Sequence, residues 1–250
     1  MFLKFRLQVV TSLAWARNLL LPDPRIEDSG QELAEITEIR ERALVRTDIS
    51  DHLVPLFVES FAIHPRLIVE LGVRTGESTF VLERVARLCG STLVSVDVDD
   101  CGCSSSWTDW TFVKSDDIEF ARQFPEWCRV RGIRPEIDVL FVDTSHEYEH
   151  TVKEIAHWFP LLSQRAKVFF HDTNLRRIYF RQDGSMGIGW DGRRGVMAAV
   201  EEYLGAKFNE TRNFTDSRKG WIIRHNALCS GFTILERLSS TNGTGAPPRD

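Results

Sequence analysis

The chain has 250 residues, 42% hydrophobic and 27% charged, with 31 Lys and Arg against 36 Asp and Glu and a formal net charge of -5. That length suits one large domain that buries roughly three quarters of its unfolded surface and needs no staples, and the slight acidic excess leaves no electrostatic footprint for nucleic acid. The five cysteines, Cys89, Cys101, Cys103, Cys128 and Cys229, are odd in number and match no zinc spacing, so they read as reduced thiols of a cytoplasmic protein.

From Met1 to Leu21, apolar positions 3, 7, 10, 13 and 14 fall on one helical face, but Arg6, Gln8, Arg17 and Asn18 break the run. It is too short and too interrupted for stable membrane insertion. It predicts a helix that packs on the domain or joins two copies in a homodimer. Leu21-Pro22-Asp23-Pro24 ends it. A charged helix is expected over Gln31 to Val45, on a stripe of Leu33, Ile36, Ile39 and Leu44. Ser50-Asp51 offers an N-cap for another helix through His64. The division is an N-terminal helical extension over 1–50, one domain over 51–238 and a disordered tail over 239–250, which is rich in Ser, Thr, Gly and Pro.

Strand and helix then alternate. Strands are expected at Leu67 to Leu71, Leu93 to Asp97, Thr111 to Val113, Ile137 to Val142 and Ala166 to Phe170. Helices are expected at Ser78 to Cys89, Asp117 to Arg131, His150 to Leu162 and Gly195 to Leu204. This rhythm predicts an α/β fold with a parallel sheet. Leu175 to Arg194 lacks a period, carries four glycines and is long enough for a binding loop. Phe208 to Phe214 and Trp221 to His225 read as a terminal strand pair.

In open parallel sheets the ligand sits beyond the C-terminal ends of the strands. The first strand ends in Glu70-Leu71-Gly72-Val73-Arg74-Thr75-Gly76. The spacing Glu-x-Gly-x-x-x-Gly lacks the third glycine of the pyrophosphate fingerprint and suits a nucleoside without phosphate, such as S-adenosylmethionine. Asp97 ends the second strand, where an acid bonds ribose hydroxyls. Ser115-Asp116 follow the third and can meet an adenine amino group. Glu70, Gly72, Thr75, Gly76, Ser78, Asp97, Ser115 and Asp116 are therefore the candidate cofactor-binding residues. Asp117 reads as a helix cap, and His150 and His157 as satisfied helix side chains. The fourth strand ends in Asp143-Thr144-Ser145-His146 and the fifth in His171-Asp172. Adjacent strands lie about 4.8 Å apart, so these groups can converge on an oxygen-loving cation such as Mg²⁺ or Mn²⁺. Trp107, Trp110, Tyr179, Phe180 and Trp190 can either stack on a sugar or fill the core.

With Phe141-Val142-Asp143-Thr144-Ser145-His146-Glu147-Tyr148 and Phe170-His171-Asp172-Thr173, the glycine stretch resembles class I S-adenosylmethionine-dependent methyltransferases. It is most similar to the metal-dependent sugar O-methyltransferase branch, which includes macrolide-sugar relatives. Within it, the chain is similar to methyltransferases of methylmannose polysaccharide biosynthesis. The resemblance covers about Ser50 to His225. It implies a Rossmann-like, mostly parallel sheet with an antiparallel terminal strand, and a sugar or oligosaccharide acceptor. It makes Asp143, His171 and Asp172 metal ligands and, with Asp143, makes His146 catalytic, as the base. The chain departs from the branch in pairing His171 with Asp172 where two acids are common. Two other readings stay open: a non-haem iron oxygenase using His146, His171 and Asp172, and a catalytically silent donor-binding protein.

Overall fold

Apolar runs without a polar face predict strands covered on both sides, and the computed structural model buries all of β1 (Leu67–Leu71) and β4 (Ile137–Val142). The structure describes residues 34–190 and 194–238, and those described from 38 onward form one compact unit. The N-terminal helix expected before Leu21 and the tail after Leu238 lie outside the described residues. Among those described, no helix is long and apolar enough to cross a membrane.

One eight-stranded sheet carries the fold. The strands β2 (Thr92–Asp97), β3 (Trp110–Lys114), β5 (Leu162–His171), β8 (Phe214–Arg218), β9 (Trp221–Asn226) and β10 (Phe232–Arg237) join β1 and β4 in the order β3-β2-β1-β4-β5-β10-β9-β8. The first five are parallel and the last three run antiparallel to their neighbours. Chain order reverses between β1 and β4, and this switch point opens a crevice at the strand ends. Asp143 N–H donates to Leu71 O at 2.8 Å and Gly72 N–H to Val96 O at 2.9 Å, so the loops after β1 and β4 leave the sheet side by side.

The helices are α1 (Ala34–Ala43), α2 (Leu53–Phe61), α3 (Glu77–Cys89), α4 (Asp117–Val130), α5 (Tyr148–Trp158) and α6 (Gly195–Leu204). Leu67, Val69 and Leu71 of β1 share one core with Phe120 and Phe124 of α4, Trp158 of α5 and Val200 of α6. Alternate residues of a strand face opposite sides, so Ile68 and Glu70 face the other layer, where α2 packs on α3.

Several expectations shift. Ser50 caps nothing: its Oγ donates to Thr47 O at 3.3 Å, a 3₁₀ turn spans Ser50–His52, and α2 stops at Phe61. Helix α5 starts at Tyr148 and yields to a 3₁₀ turn at Phe159–Leu161, where Pro160 lacks the N–H a helix needs. Phe208 to Asn213 is no strand, because Asn209 Oδ1 accepts from Thr211 N–H and folds the chain locally. The antiparallel end of the sheet is built from β8, β9 and β10 instead. Within Leu175 to Arg194, the strands β6 (Ile178–Phe180) and β7 (Met186–Ile188) form a hairpin.

Candidate functional site

The turn after β1 is built for close approach. Gly72 has φ +87°, and a Cβ there would lie 2.0 Å from Asp143 O. Only glycine fits both constraints. Asp97, at the end of β2, organises this turn. Its Oδ2 accepts from Val73 N–H at 2.8 Å and Arg74 N–H at 3.1 Å, and its Oδ1 from Asp99 N–H at 2.9 Å. Burial works against the charge, but these three donors hold the carboxyl below its usual range.

Glu70 faces inward and is fully buried. It accepts from Ser78 Oγ at 2.6 Å, Thr79 Oγ1 at 2.9 Å and Ser95 Oγ at 2.5 Å. It therefore ties β1 to α3 and β2. Burial, joined by the charge of Asp143 and partly offset by these hydroxyls, pushes its carboxyl up to about 7. Asp116 is the N-cap of α4, accepting from Ile118 and Glu119 N–H at 2.9 Å each. The cap expected of Asp117 thus falls one residue earlier, and Asp117 is buried against His150, Oδ1 to Nε2 2.8 Å.

A cavity of about 360 Å³ opens at these strand ends. Of the residues singled out for the cofactor, Gly72, Asp97, Ser115 and Asp116 line it. Glu70, Thr75, Gly76 and Ser78 are absent from its wall: Glu70 and Ser78 are bonded to each other, Thr75 is exposed, and Gly76 packs against Ser104. Arg74, Asp117 and His150 line it unforeseen. The spacing of His150 and Glu154, four apart on one helix face, was the available signal.

Beside it, the ends of β4 and β5 bring four side chains together. His146 Nε2 lies 3.0 Å from both Asp143 Oδ1 and Asp172 Oδ2, while His171 Nδ1 lies 3.2 Å from Asp143 Oδ1. Asp143, His146 and Asp172 each offer a ligand atom within 4.8 Å of the others. His146 has φ +60° and Asp172 φ +55°. Such backbone costs about 1–3 kcal/mol and clusters at functional sites. Burial lowers the basicity of His146, but hydrogen bonds to Asp143 and Asp172 outweigh it and hold the imidazole at about 10. Burial likewise opposes ionising Asp143, and the two imidazoles prevail, keeping it well below the usual range.

The hydrogen bonding around this cluster is incomplete. Asp172 Oδ1 is buried and receives no hydrogen bond. His171 Nε2 faces only carbonyls, Asp48 O and Cys229 O at 3.2 Å each, and must carry a proton. The carboxylates of Asp172 and Asp143 overcome the burial of His171 and raise its imidazole to about 10, so Nδ1 is protonated as well and donates to Asp143. A hard cation among two carboxylates and an imidazole would displace that proton and meet the open Asp172 oxygen, so the donor set fits Mg²⁺ or Mn²⁺.

A second cavity of about 860 Å³ adjoins this cluster between the β4 loop and α6, lined by Tyr148, Leu175, Arg194 and Ala198. His146 and Trp190 line both cavities, with ring centroids 6.4 Å apart. Of the five aromatics singled out, Trp190 alone lines either cavity. Trp110 donates from Nε1 to Ser95 Oγ, Trp107 packs under Arg87, Tyr179 is buried, and Phe180 is exposed on the hairpin.

Residues 69–173 match the family model of a methyltransferase domain. This segment holds the glycine turn, Asp97 and the whole β4–β5 cluster. Among solved structures, the chain is similar to MycE methyltransferase from the mycinamycin biosynthetic pathway. With Mg and SAH bound, MycE matches at TM-score 0.55 and 17% identity over 88% of this chain and 58% of MycE. With Mg, SAH and mycinamycin VI, it matches at 0.52 and 15% over the same shares. The chain thus spans less than two thirds of MycE. An O-methyltransferase from Bacillus cereus in complex with SAH matches at TM-score 0.49 and 12% identity, over 90% of this chain and 96% of that one. No curated protein matches the chain. The fold is the Rossmann-like fold that class I, S-adenosylmethionine-dependent methyltransferases have, and residues 69–173 are the segment that matches the methyltransferase-domain model.

Proposed function

We propose that the chain transfers the methyl group of S-adenosylmethionine to a hydroxyl of a sugar or oligosaccharide, with a divalent cation at Asp143, Asp172 and His171. The observation that carries this is the position of His146. Its imidazole stands on the wall between the two cavities, held by two carboxylates, one of which keeps an unmet oxygen.

The smaller cavity takes the donor. Asp97 meets the ribose, Ser115 and Asp116 the adenine, and Gly72 lets the turn approach. The N–H groups of Gly72, Val73, Arg74 and Gly76 are spent within the protein. The Arg74 guanidinium at the cavity wall, paired through Nη1 with Asp48 Oδ2 at 2.9 Å, has further N–H groups for the donor's carboxylate. Glu70 and Ser78 act behind the wall by fixing β1 to α3.

The larger cavity takes the acceptor, and Trp190 offers its face to a sugar ring. Attack by the acceptor oxygen forms the C–O bond as the C–S bond breaks, and the hydroxyl proton passes to His146 Nε2. Positioning dominates such transfers, with up to about 7–11 kcal/mol available from a well-held encounter. A cation, when bound, supplies charge that frees His146 from its ionised form and acidifies the hydroxyl. The three-residue oxygenase alternative is less well served, because Asp143 Oδ1 lies within 3.2 Å of both imidazoles. MycE, with Mg, SAH and mycinamycin VI in one structure, supports the sugar branch.

The test is transfer of labelled methyl from S-adenosylmethionine to a panel of mannosides and other glycosides, with Mg²⁺ or with chelator. Labelled glycoside that appears only with Mg²⁺ is expected. Transfer indifferent to chelator removes the cation from the reading, and no transfer with intact donor binding leaves a silent donor-binding protein.

A further inference from the structure

A second cluster lies at the floor of the donor cavity, where Asp117 and His150 reach its wall, and plays no part in the transfer described above. It joins α4, α5 and the loop after β4. Asp117 opens α4 and is 5% exposed; Glu154 of α5 is 1% exposed. His150 Nε2 lies 2.8 Å from Asp117 Oδ1 and 3.8 Å from Glu154 Oε1. Thr144 Oγ1 donates to Glu154 Oε1 at 2.6 Å.

Two carboxylates and one imidazole are gathered here, and among the described residues His150 is the one cationic partner of either acid. A single His150–Asp117 pair satisfies one oxygen of Asp117 and leaves the other. Asp117 Oδ2 and Glu154 Oε2 are both buried without a hydrogen-bond partner. Buried carboxylate oxygens are rarely left so. Burial first, and then the charge of Asp117, push the Glu154 carboxyl up to about 7.

Ligand atoms of the three residues lie within 4.8 Å of one another. Ligands about 2.1 Å from a metal stand about 3.0–3.4 Å apart in octahedral or tetrahedral sites. The 2.8 and 3.8 Å separations about His150 Nε2 bracket that range. We propose that Asp117, His150 and Glu154 form a second divalent-cation site that braces the floor of the donor cavity. One imidazole with two carboxylates and no thiolate suits Mn²⁺ or Zn²⁺. The site is structural: it locks the start of α4 to α5, so that Asp116 and Ser115 hold their places in the cavity wall.

The proposal does not depend on the methyl-transfer reading, and its test keeps the two apart. Metal-free full-length protein is titrated with Mn²⁺, and free Mn²⁺ is followed by its electron paramagnetic resonance signal. In D143N/D172N, which disables only the first cluster, one saturable equivalent is expected to remain. Adding D117N/E154Q to that variant is expected to abolish it. Wild type binds two equivalents if both sites hold metal. It binds one, lost in D117N/E154Q alone, if the first cluster holds none, and the second site then stands. Should D143N/D172N keep its circular dichroism spectrum and bind no Mn²⁺, the cluster is an ion pair and the proposal falls. Because that outcome is measured on a variant with the second cluster intact, misfolding of D117N/E154Q cannot blur it.

Discussion

The acids at the ends of β1, β2 and β3 differ in kind from those at the ends of β4 and β5. Glu70, Asp97 and Asp116 accept hydrogen bonds from hydroxyls and backbone N–H groups of their own neighbourhood, which fixes the turns around the smaller cavity. Asp143 and Asp172 share two imidazoles, sit beside strained backbone and keep one buried oxygen unmet. The first group shapes a surface against which a ligand can lie. The second stores unbalanced charge, the form that proton transfer and cation binding require. The largest effect on activity is therefore expected on the β4–β5 side, and the effects on stability on the other.

Replacing His146 with Ala breaks this division most sharply. Loss of a positioned base lowers turnover by about 10²–10⁴-fold. Donor affinity, measured by calorimetry, should change far less, because His146 only borders the smaller cavity and the acids that shape it are untouched. Turnover at the wild-type rate would show that the imidazole moves no proton.

Gly72→Ala attacks the seam where the two regions touch. The added Cβ meets Asp143 O at 2.0 Å on a backbone with φ +87°. The strain and displacement cost about 2–4 kcal/mol, read as a fall in the urea midpoint, and the shift of Asp143 lowers turnover as well. Asp97→Ala is milder. It strips the acceptor from Val73, Arg74 and Asp99 N–H, at about 1–3 kcal/mol for donors left unmet. It should weaken donor binding at saturating acceptor. Asp97→Asn keeps an acceptor and should restore most of the stability.

The parallel half of the sheet was legible because buried strands read as unbroken apolar runs. The strand-end acids could be placed because every such strand ends at the same edge. Their jobs were less legible. Asp116 and Asp117 are adjacent and chemically identical, and which one caps α4 depends on where the first helical N–H groups point. Glu70 looked like a ligand contact because it ends a strand. The alternation of β1 instead turns it inward, where Ser78, Thr79 and Ser95 wait. Strand β10 is hidden in the sequence partly because one of its two partners, β5, is some sixty residues away, Phe232 opposite His171. It also follows Cys229, Ser230 and Gly231, all at positive φ, which reads as loop. The second cluster is hidden for another reason: Asp117, His150 and Glu154 each have an ordinary explanation when taken singly.

The smallest effect is a slope. The Glu70 carboxyl rises from 4.5 to about 7 on folding, first through burial. Between these values the folded chain binds a proton that the unfolded chain has released. The stability gained from that proton is complete below about pH 4.5 and is lost as pH rises through about 7, at no more than about 1.4 kcal/mol per pH unit. Glu154, also raised to about 7, adds a second slope of the same sign. The β4–β5 groups are silent between about pH 5 and 6. Asp143 titrates well below that window, and His146 and His171, both raised to about 10, lose their contribution only as pH climbs above about 6.5. In that window buried His52, lowered to about 3, and His225, also lowered by burial, add stability with rising pH and oppose these slopes. The readout is therefore the difference: metal-free wild type should lose stability with rising pH relative to Glu70→Gln, which cannot titrate. Equal slopes in the two proteins would mean that the three hydroxyls keep Glu70 ionised, and that the donor side carries uncompensated charge as the β4–β5 side does.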